Sequence, residues 1–372
     1  MISRYEMSFM TLVQQVMKTG FYQKNERTGI ATKRLSHGFL QCDLQKEFPI
    51  LTSKHCFWKS AVDEILWIYS KQSNNINDLN SHIWDQWADS DGSIGKAYGY
   101  QVKKHEQVKK VLDTLRSDPS SRRAVMDLWQ WDDIPEMNLT PCVYTSVWDI
   151  VDGSLNVMVT SRSCDLLVGG VFNVIQYAVL CHMFAKDLDV KPGIITFNMA
   201  DVHIYENQFG GCVEWLTEFK KELATGRLLK IQDTFKNNPK ALKSETDKLY
   251  DEIHKEHANA NSDLKNMLIL ELAESLGYDL NNIKEDEFAD IQKKIDNMPD
   301  FKIKSAKIDS DTMKSELDMK NALTSPEYID AYNCKPVLKL VHDKKSFFDF
   351  TSDDIKIENY HHLKKIEFPV AK

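Results

Sequence analysis

No apolar run in this chain of 372 residues approaches the roughly 18 residues that span a bilayer, so no membrane helix is expected. The opening Met-Ile-Ser-Arg-Tyr-Glu lacks the apolar core of a secretory leader. The seven cysteines form no CxxC pair and no grouping with histidine at zinc spacing. That argues against a disulfide framework or a structural metal and suits a reducing cytoplasm. Positive charge is also in deficit: 47 Lys and Arg face 55 Asp and Glu, a net charge of −8. Neither nucleic acid nor an acidic membrane is therefore an expected partner. A local arginine cluster can still hold a small phosphate, because binding depends on the site. No internal repeat is present.

Two further absences map the chain. Tryptophan does not occur after Trp215, and cysteine does not occur in 227–333, a window rich in Lys, Asp, Glu and Asn. Its best helix candidate is 263–276, where Leu264, Met267, Leu268, Leu272 and Leu276 repeat at helical spacing. The window reads as an inserted, charged, largely helical subdomain, and 1–226 with 334–372 as the domain that carries it.

What is present elsewhere reads as α+β. Apolar content of 42% and aromatic content of 10% describe an ordinary globular protein able to bury a sizeable core. Ser8 to Lys18 has Phe9, Leu12, Val13 and Val16 on one helical face. Trp58 to Tyr69 is an apolar helix with one interior acid, Glu64, and Phe172 to Ala185 is apolar nearly all round, hence central. Strands are expected at 124–128, 146–150, 155–160 and 194–198, with Asp152-Gly153 as a hairpin turn.

Cys142, in Thr140-Pro-Cys142, is a nucleophile candidate if nearby arginine favours its thiolate, and a buried structural thiol otherwise. Cys164 is its rival. Arg122 and Arg123 follow the turn-forming Asp118-Pro-Ser-Ser121, which would expose two guanidinium forks to a phosphate or to solvent. Glu64, if unpaired among apolar neighbours, would have a raised pKa suited to proton transfer; alternatively it pairs with a cation. Asn173 could read a base edge or cap a helix. His203 and Tyr205 share one face of an expected strand, available to a sugar hydroxyl or to internal bonds.

Taken together, the motifs Arg27-Thr-Gly29, Phe48-Pro-Ile-Leu-Thr-Ser-Lys54, Glu64-Ile-Leu-Trp67, Ile83-Trp-Asp-Gln-Trp-Ala-Asp89, Tyr98-Gly99 and Pro119-Ser-Ser-Arg-Arg123 come first in a fixed order. Thr140-Pro-Cys142, Arg162-Ser-Cys-Asp165, Phe172-Asn173, Asp201-Val-His-Ile-Tyr205 and Pro369-Val-Ala371 complete it. In this order they resemble the thymidylate synthase family, which includes phage-type deoxypyrimidine hydroxymethylases. The resemblance runs from about residue 5 to 226 and resumes at Lys335. It implies a mixed twisted sheet packed with helices and forming the interface of a homodimer.

The resemblance also implies roles. Cys142 would add to C6 of dUMP, and C5 would attack the one-carbon unit of the co-substrate 5,10-methylenetetrahydrofolate. Arg27, Arg162 and Ser163 would hold the 5′-phosphate, with Arg122 and Arg123 donated by a second subunit. His203 and Tyr205 would bind the 3′-hydroxyl. Asp165 would contact the pterin, Trp84 and Trp87 would wall the folate site, and Gly169 and Ala371 would border it. Glu64 and Tyr98 would manage proton transfers through water. Asn173 would donate to O4 and accept from N3–H of uracil, the reverse of what cytosine presents, so dUMP and not dCMP is the expected substrate.

Several positions depart from the synthase pattern: Val147, Ser161, Val171, Met199-Ala200 and the charged terminal Lys372. They favour a deoxyuridylate hydroxymethylase making 5-hydroxymethyl-dUMP in a phage-infected cytoplasm; the alternative is a synthase making dTMP and dihydrofolate. An inactive relative binding nucleotide or RNA is a third reading, and 227–333 could serve as a docking module for other nucleotide-synthesis or replication proteins.

Overall fold

The computed structural model describes residues 2–24, 26, 28–235, 238, 240–241, 243–249, 251, 335–341, 346–362, 366 and 368–369. The chain divides into two compact units, Met1–Lys220 with Asp330–Lys372, and Lys221–Ile329. In the second unit the described residues are helical up to Phe235 and again at 243–249. The expected helix at 263–276 lies outside the described residues.

Helix α1 (Arg4–Thr19) begins a turn before the expected Ser8, because Ser3 caps it by accepting from the Glu6 amide. The predicted face of Phe9, Leu12, Val13 and Val16 is buried. Strands β1 (Phe21–Gln23), β2 (Thr32–Leu35) and β3 (Gly38–Asp43) follow, then helices α2 (Trp58–Tyr69), α3 (Gly99–Lys104) and α4 (Gln107–Ser117). Strand β4 (Ala124–Asp127) leads to the hairpin β5 (Val143–Val151) and β6 (Ser154–Ser161). Its turn residues Asp152 and Gly153 both have positive φ, 48° and 66°, as the Asp-Gly signal requires. Then come β7 (Cys164–Asp165), α5 (Val171–Asp187), β8 (Lys191–Met199), β9 (Val202–Tyr205) and α6 (Phe209–Phe235). A hairpin of β10 (Val337–Leu340) and β11 (Ile355–Glu358) closes the first unit.

The main sheet has five strands in the order β3-β8-β6-β5-β4, antiparallel except for the parallel pair β6 and β8. It is therefore the mixed sheet the resemblance implies. Alternation along each strand separates its two faces. Trp148, Val157, Val159, Ile195 and Phe197 point inward and are buried, with α5 packed across β6 and β8. Phe39, Val125, Val151, Met158 and Ile194 point to the other side and are exposed. A smaller sheet, β1-β2-β9-β7, carries His203 and Tyr205.

The window Leu166–Asp187, containing α5, is long and apolar enough to cross a membrane, which corrects the expectation that no segment is. Its apolar stretch is 72% buried inside the fold, as befits a core helix against a sheet.

A fully buried carboxylate anchors α1 to the loop before α2. Glu6 accepts from the Thr52 amide at 2.9 Å, the Thr52 hydroxyl at 2.7 Å, the Ser53 amide at 2.7 Å and the Ser53 hydroxyl at 2.6 Å. Trp215 donates to the same Ser53 hydroxyl at 2.9 Å. Removing the acceptor strands buried donors, so Glu6→Ala should destabilise the protein by about 4 kcal/mol. A urea unfolding midpoint equal to that of the parent would show these donors are satisfied another way.

Candidate active site

The site forms where three strands of the main sheet end together. Strand β5 starts where its antiparallel neighbour β6 stops, with Val143 opposite Ser161, and the parallel β8 stops alongside, with Met199 opposite Ser161. Cys142 immediately precedes β5, and Arg162 and Ser163 immediately follow β6. The Arg162 amide donates to the Cys142 carbonyl at 2.9 Å, extending the ladder by one bond. Asp165, on β7, pairs in register with His203 on β9.

Among the described cysteines, all free, only Cys142 is not fully buried. The rival Cys164 is buried, and that burial pushes its thiol well above the usual range. The Cys142 amide donates to the Tyr98 hydroxyl at 3.1 Å. Tyr98 holds a positive φ of 46°, a conformation that costs energy for a residue with a Cβ and that packing must enforce. Behind it, Gly99 approaches Ser73 so closely that a Cβ would meet the Ser73 carbonyl oxygen. The Tyr98 ring packs edge-on against Trp84, centroids 5.1 Å apart, and Trp84 against the half-buried Trp87 at 5.4 Å.

Glu64, on α2, is buried and forms no ion pair among the described residues, where neutral donors take the place of the alternative cation. The Trp84 indole donates to its Oε1 at 2.8 Å and the Gln176 amide to its Oε2 at 2.6 Å. Burial pushes its carboxyl up to about 7, against the pull of these two hydrogen bonds. Asn173 sits inside α5, not at its cap, and its amide donates to Gln176 Oε1 at 3.0 Å. One line of contacts thus runs from Asn173 through Gln176, Glu64, Trp84 and Tyr98 to Cys142. Sequence reasoning passed over Gln176; its signal was a second amide, three residues after Asn173, in a helix apolar nearly all round.

Arg162 is held by neutral acceptors: Nε donates to the Pro141 carbonyl at 2.9 Å, and a terminal nitrogen to the Thr140 carbonyl at 3.0 Å and hydroxyl at 2.6 Å. Its guanidinium lies over the Trp129 ring, 5.4 Å from the centroid. No carboxylate forms an ion pair with it among the described residues, so its charge is available to an anion. His203 meets Asp201 at 3.0 Å and lies edge-on to Tyr205, centroids 5.0 Å apart. Asp201 in turn pairs with Arg34 at 2.8 Å.

Asp165 precedes a turn of π-helix, Leu166–Gly170, which contains Gly169 and feeds directly into α5. Burial raises its carboxyl, while the charge of His203 and the Gln208 amide pull it back. Arg122 and Arg123 are exposed just before the edge strand β4, beyond an Asp118 turn whose carboxylate accepts from Ser120. Arg27 and Ala371, like Lys372, lie outside the described residues. No group of three His, Cys, Asp or Glu side chains could hold a metal among the described residues. A cavity of about 730 Å³ between α1 and the start of β3 is lined by none of these site residues.

The raised Glu64 carboxyl carries a stability prediction of defined sign. A carboxyl near 7 in the native protein and near 4.5 unfolded keeps its proton when folded and loses it when unfolded between those values. Stability from this group is full below about 4.5 and falls as pH rises through about 7. Glu64→Gln removes the dependence, so its stability relative to the parent should improve from pH 5 to pH 8 by on the order of 3 kcal/mol. Any constant packing penalty cancels in that difference, and parallel pH–Tm curves would refute the assignment.

Comparison with known proteins agrees with this geometry. The family model described as thymidylate synthase matches residues 7–259. A thymidylate synthase of Clostridium beijerinckii is 42% identical over 219 residues, which is 58% of this chain and 83% of that protein. One from Bacillus licheniformis is 39% identical over 226 residues, 55% of this chain and 80% of that protein. Among solved structures, the thermostable thymidylate synthase A from Bacillus subtilis superimposes with a TM-score of 0.64 at 25% identity, covering 99% of each chain. The matching strand ends, the half-exposed cysteine and these relatives agree: the chain belongs to the thymidylate synthase family.

Proposed function

We propose that this protein is a cytoplasmic thymidylate synthase, transferring the one-carbon unit of 5,10-methylenetetrahydrofolate to C5 of dUMP and reducing it to the methyl of dTMP. The observation that carries the chemistry is the juxtaposition of Cys142 with Arg162 and Tyr98 at one end of the sheet. Cys142 adds to C6. Arg162, which forms no ion pair among the described residues, binds the 5′-phosphate with Ser163 and Arg27. The Asn173 amide reads uracil, His203 and Tyr205 take the 3′-hydroxyl, and Asp165 contacts the pterin between Trp84, Trp87, Gly169 and Ala371. Glu64, near 7, is suited to pass a proton at neutral pH through water toward O4 and C5, with Tyr98 beside it.

The relatives named above are synthases, and this supports reduction over the hydration suggested by the departures from the synthase pattern. Two of those departures are packed and open no route for water. Val171 is buried at the start of α5, and Ser161 is fully buried with its hydroxyl donating to the Cys142 and Ser163 carbonyls. Val147 belongs to the outward face of the sheet, opposite Val125 and Met158, and not to the Cys142 end. Formation of 5-hydroxymethyl-dUMP is the second reading, motivated by Met199-Ala200, the departure that directly precedes Asp201.

The bare face of the main sheet, with Phe39, Val125, Val151, Met158 and Ile194 exposed, is where a second copy would pack. Such a homodimer would bring Arg122 and Arg123 of one subunit to the phosphate of the other. The 227–333 window is an insertion into this catalytic frame.

Release of tritium from C5-labelled dUMP, with mass analysis of the products, tests the reading. The expected products are dTMP and dihydrofolate; 5-hydroxymethyl-dUMP with tetrahydrofolate would overturn it in favour of hydration. Cys142→Ser should abolish release. Asn173→Asp should lower kcat/KM for dUMP about 100-fold while raising turnover of dCMP, since a carboxylic acid presents the opposite edge. An unchanged dUMP preference would remove Asn173 from base reading.

A further inference from the structure

Gln208 ends the short 3-10 turn Glu206–Gln208 between β9 and α6 and is fully buried. Its side-chain oxygen accepts from the Tyr205 amide at 3.2 Å. Its nitrogen donates to the two Asp165 oxygens at 3.1 and 3.3 Å and to the Pro369 carbonyl at 3.0 Å. Both N–H donors and the acceptor of the amide are thereby used. Three segments far apart in sequence meet at this one group.

The C-terminal segment seats around it. Phe368 occupies a notch at Gly211, where an added Cβ would stand 3.0 Å from its ring. Lys54 Nζ lies over the Phe368 ring at 4.8 Å and the Trp215 ring at 5.3 Å. The seated phenylalanine places the next carbonyl, that of Pro369, against the Gln208 amide. When the segment leaves, one buried N–H loses its acceptor, and the amide must turn away from Asp165 or remain unsatisfied.

We propose that Gln208 is a positioning residue of the folate site: it couples docking of the C-terminal segment at Pro369 to the orientation of the Asp165 carboxylate. This rests on the reading of Asp165 as a folate contact. The amide is suited to the task because it adds neutral hydrogen bonds to a carboxyl that the Leu167 and Val168 backbone amides also hold, and so sets its orientation without bringing a charge. Among the described residues, His203 on β9, Lys54 before α2 and Cys164 on β7 are titratable groups that act on Asp165 or are acted on by it.

The test uses the full chain with Gln208→Leu, Gln208→Glu and Gly211→Ala. Hydrogen exchange of peptides covering 361–369 is followed without ligands, and KM for each substrate is measured by tritium release. Gln208→Leu should speed tail exchange and raise KM for methylenetetrahydrofolate, each about tenfold, with KM for dUMP within about twofold. Gln208→Glu should move the acid limb of the kcat/KM profile to higher pH, because two adjoining carboxyls do not both ionise readily. Gly211→Ala should speed tail exchange and raise the folate KM with Gln208 intact, and it decides the matter should the leucine variant fail to fold. Unchanged tail exchange in Gln208→Leu overturns the proposal, as does an equal rise in both KM values. So does a Gly211→Ala protein whose tail loosens while its folate KM stays at the parent value. Absence of tritium release by the parent protein would defeat the proposed function instead, and the exchange measurement would still decide whether Gln208 tethers the tail.

Discussion

The hydrogen bond from the Arg162 amide to the Cys142 carbonyl holds the site together. It continues the β5–β6 ladder one step past the last paired strand residues and so fixes the separation of a thiol and a guanidinium that are twenty positions apart in sequence. The other strands that carry site residues are placed with respect to that edge. The parallel β8 stops level with β6, and the turn that follows delivers Asp201, His203 and Tyr205 to the same end. Strand β7 pairs with β9 so that Asp165 faces His203. A one-residue slip in β5 would turn Trp148 from the core to the open face and carry Cys142 away from Arg162.

Beneath this edge lies a set of polar groups that helices α2 and α5 cannot hide from each other. Glu64 and Gln176 are buried within the helix pair and satisfy one another, and Trp84 and Asn173 extend the line on either side. A buried carboxylate with only neutral donors raises its own pKa and destabilises the fold as pH rises. A purely structural core would replace such a group with an apolar one. Glu64 is linked to the half-exposed Cys142 through Trp84 and Tyr98, as the proposed proton transfer would need, and the strained backbone of Tyr98 lies on that line.

Much of the frame was legible from periodicity. Helices α1, α2 and α5 and strands β4, β5, β6 and β8 lie within a few residues of expectation, because each buries one regular face. Strand β9 matches the expected strand bearing His203 and Tyr205, whereas the short strands β1, β2 and β7, the longer β3 and the helices α3 and α4 were not foreseen. Two to four residues carry no readable period, and α3 follows a positive-φ tyrosine that no local rule predicts. The choice between Cys142 and Cys164 was likewise open to residue-by-residue reading. It turned on burial, which depends on the packing of the whole sheet.

Sequence by itself determined the residue types and their order: a Pro-Cys, an Arg-Ser-Cys-Asp, a Phe-Asn and an Asp-Val-His-Ile-Tyr, which together identify a family because chemistry needs all of them at once. It also determined the Asp-Gly hairpin and the apolar central helix, since turn geometry and hydrophobic pattern act locally. Only the tertiary structure decided which thiol stands open, that the described partners of Glu64 are neutral, and that Gln176 and Gln208 belong to the site. Those properties depend on distances between segments far apart in the chain, and no local pattern of side chains encodes them.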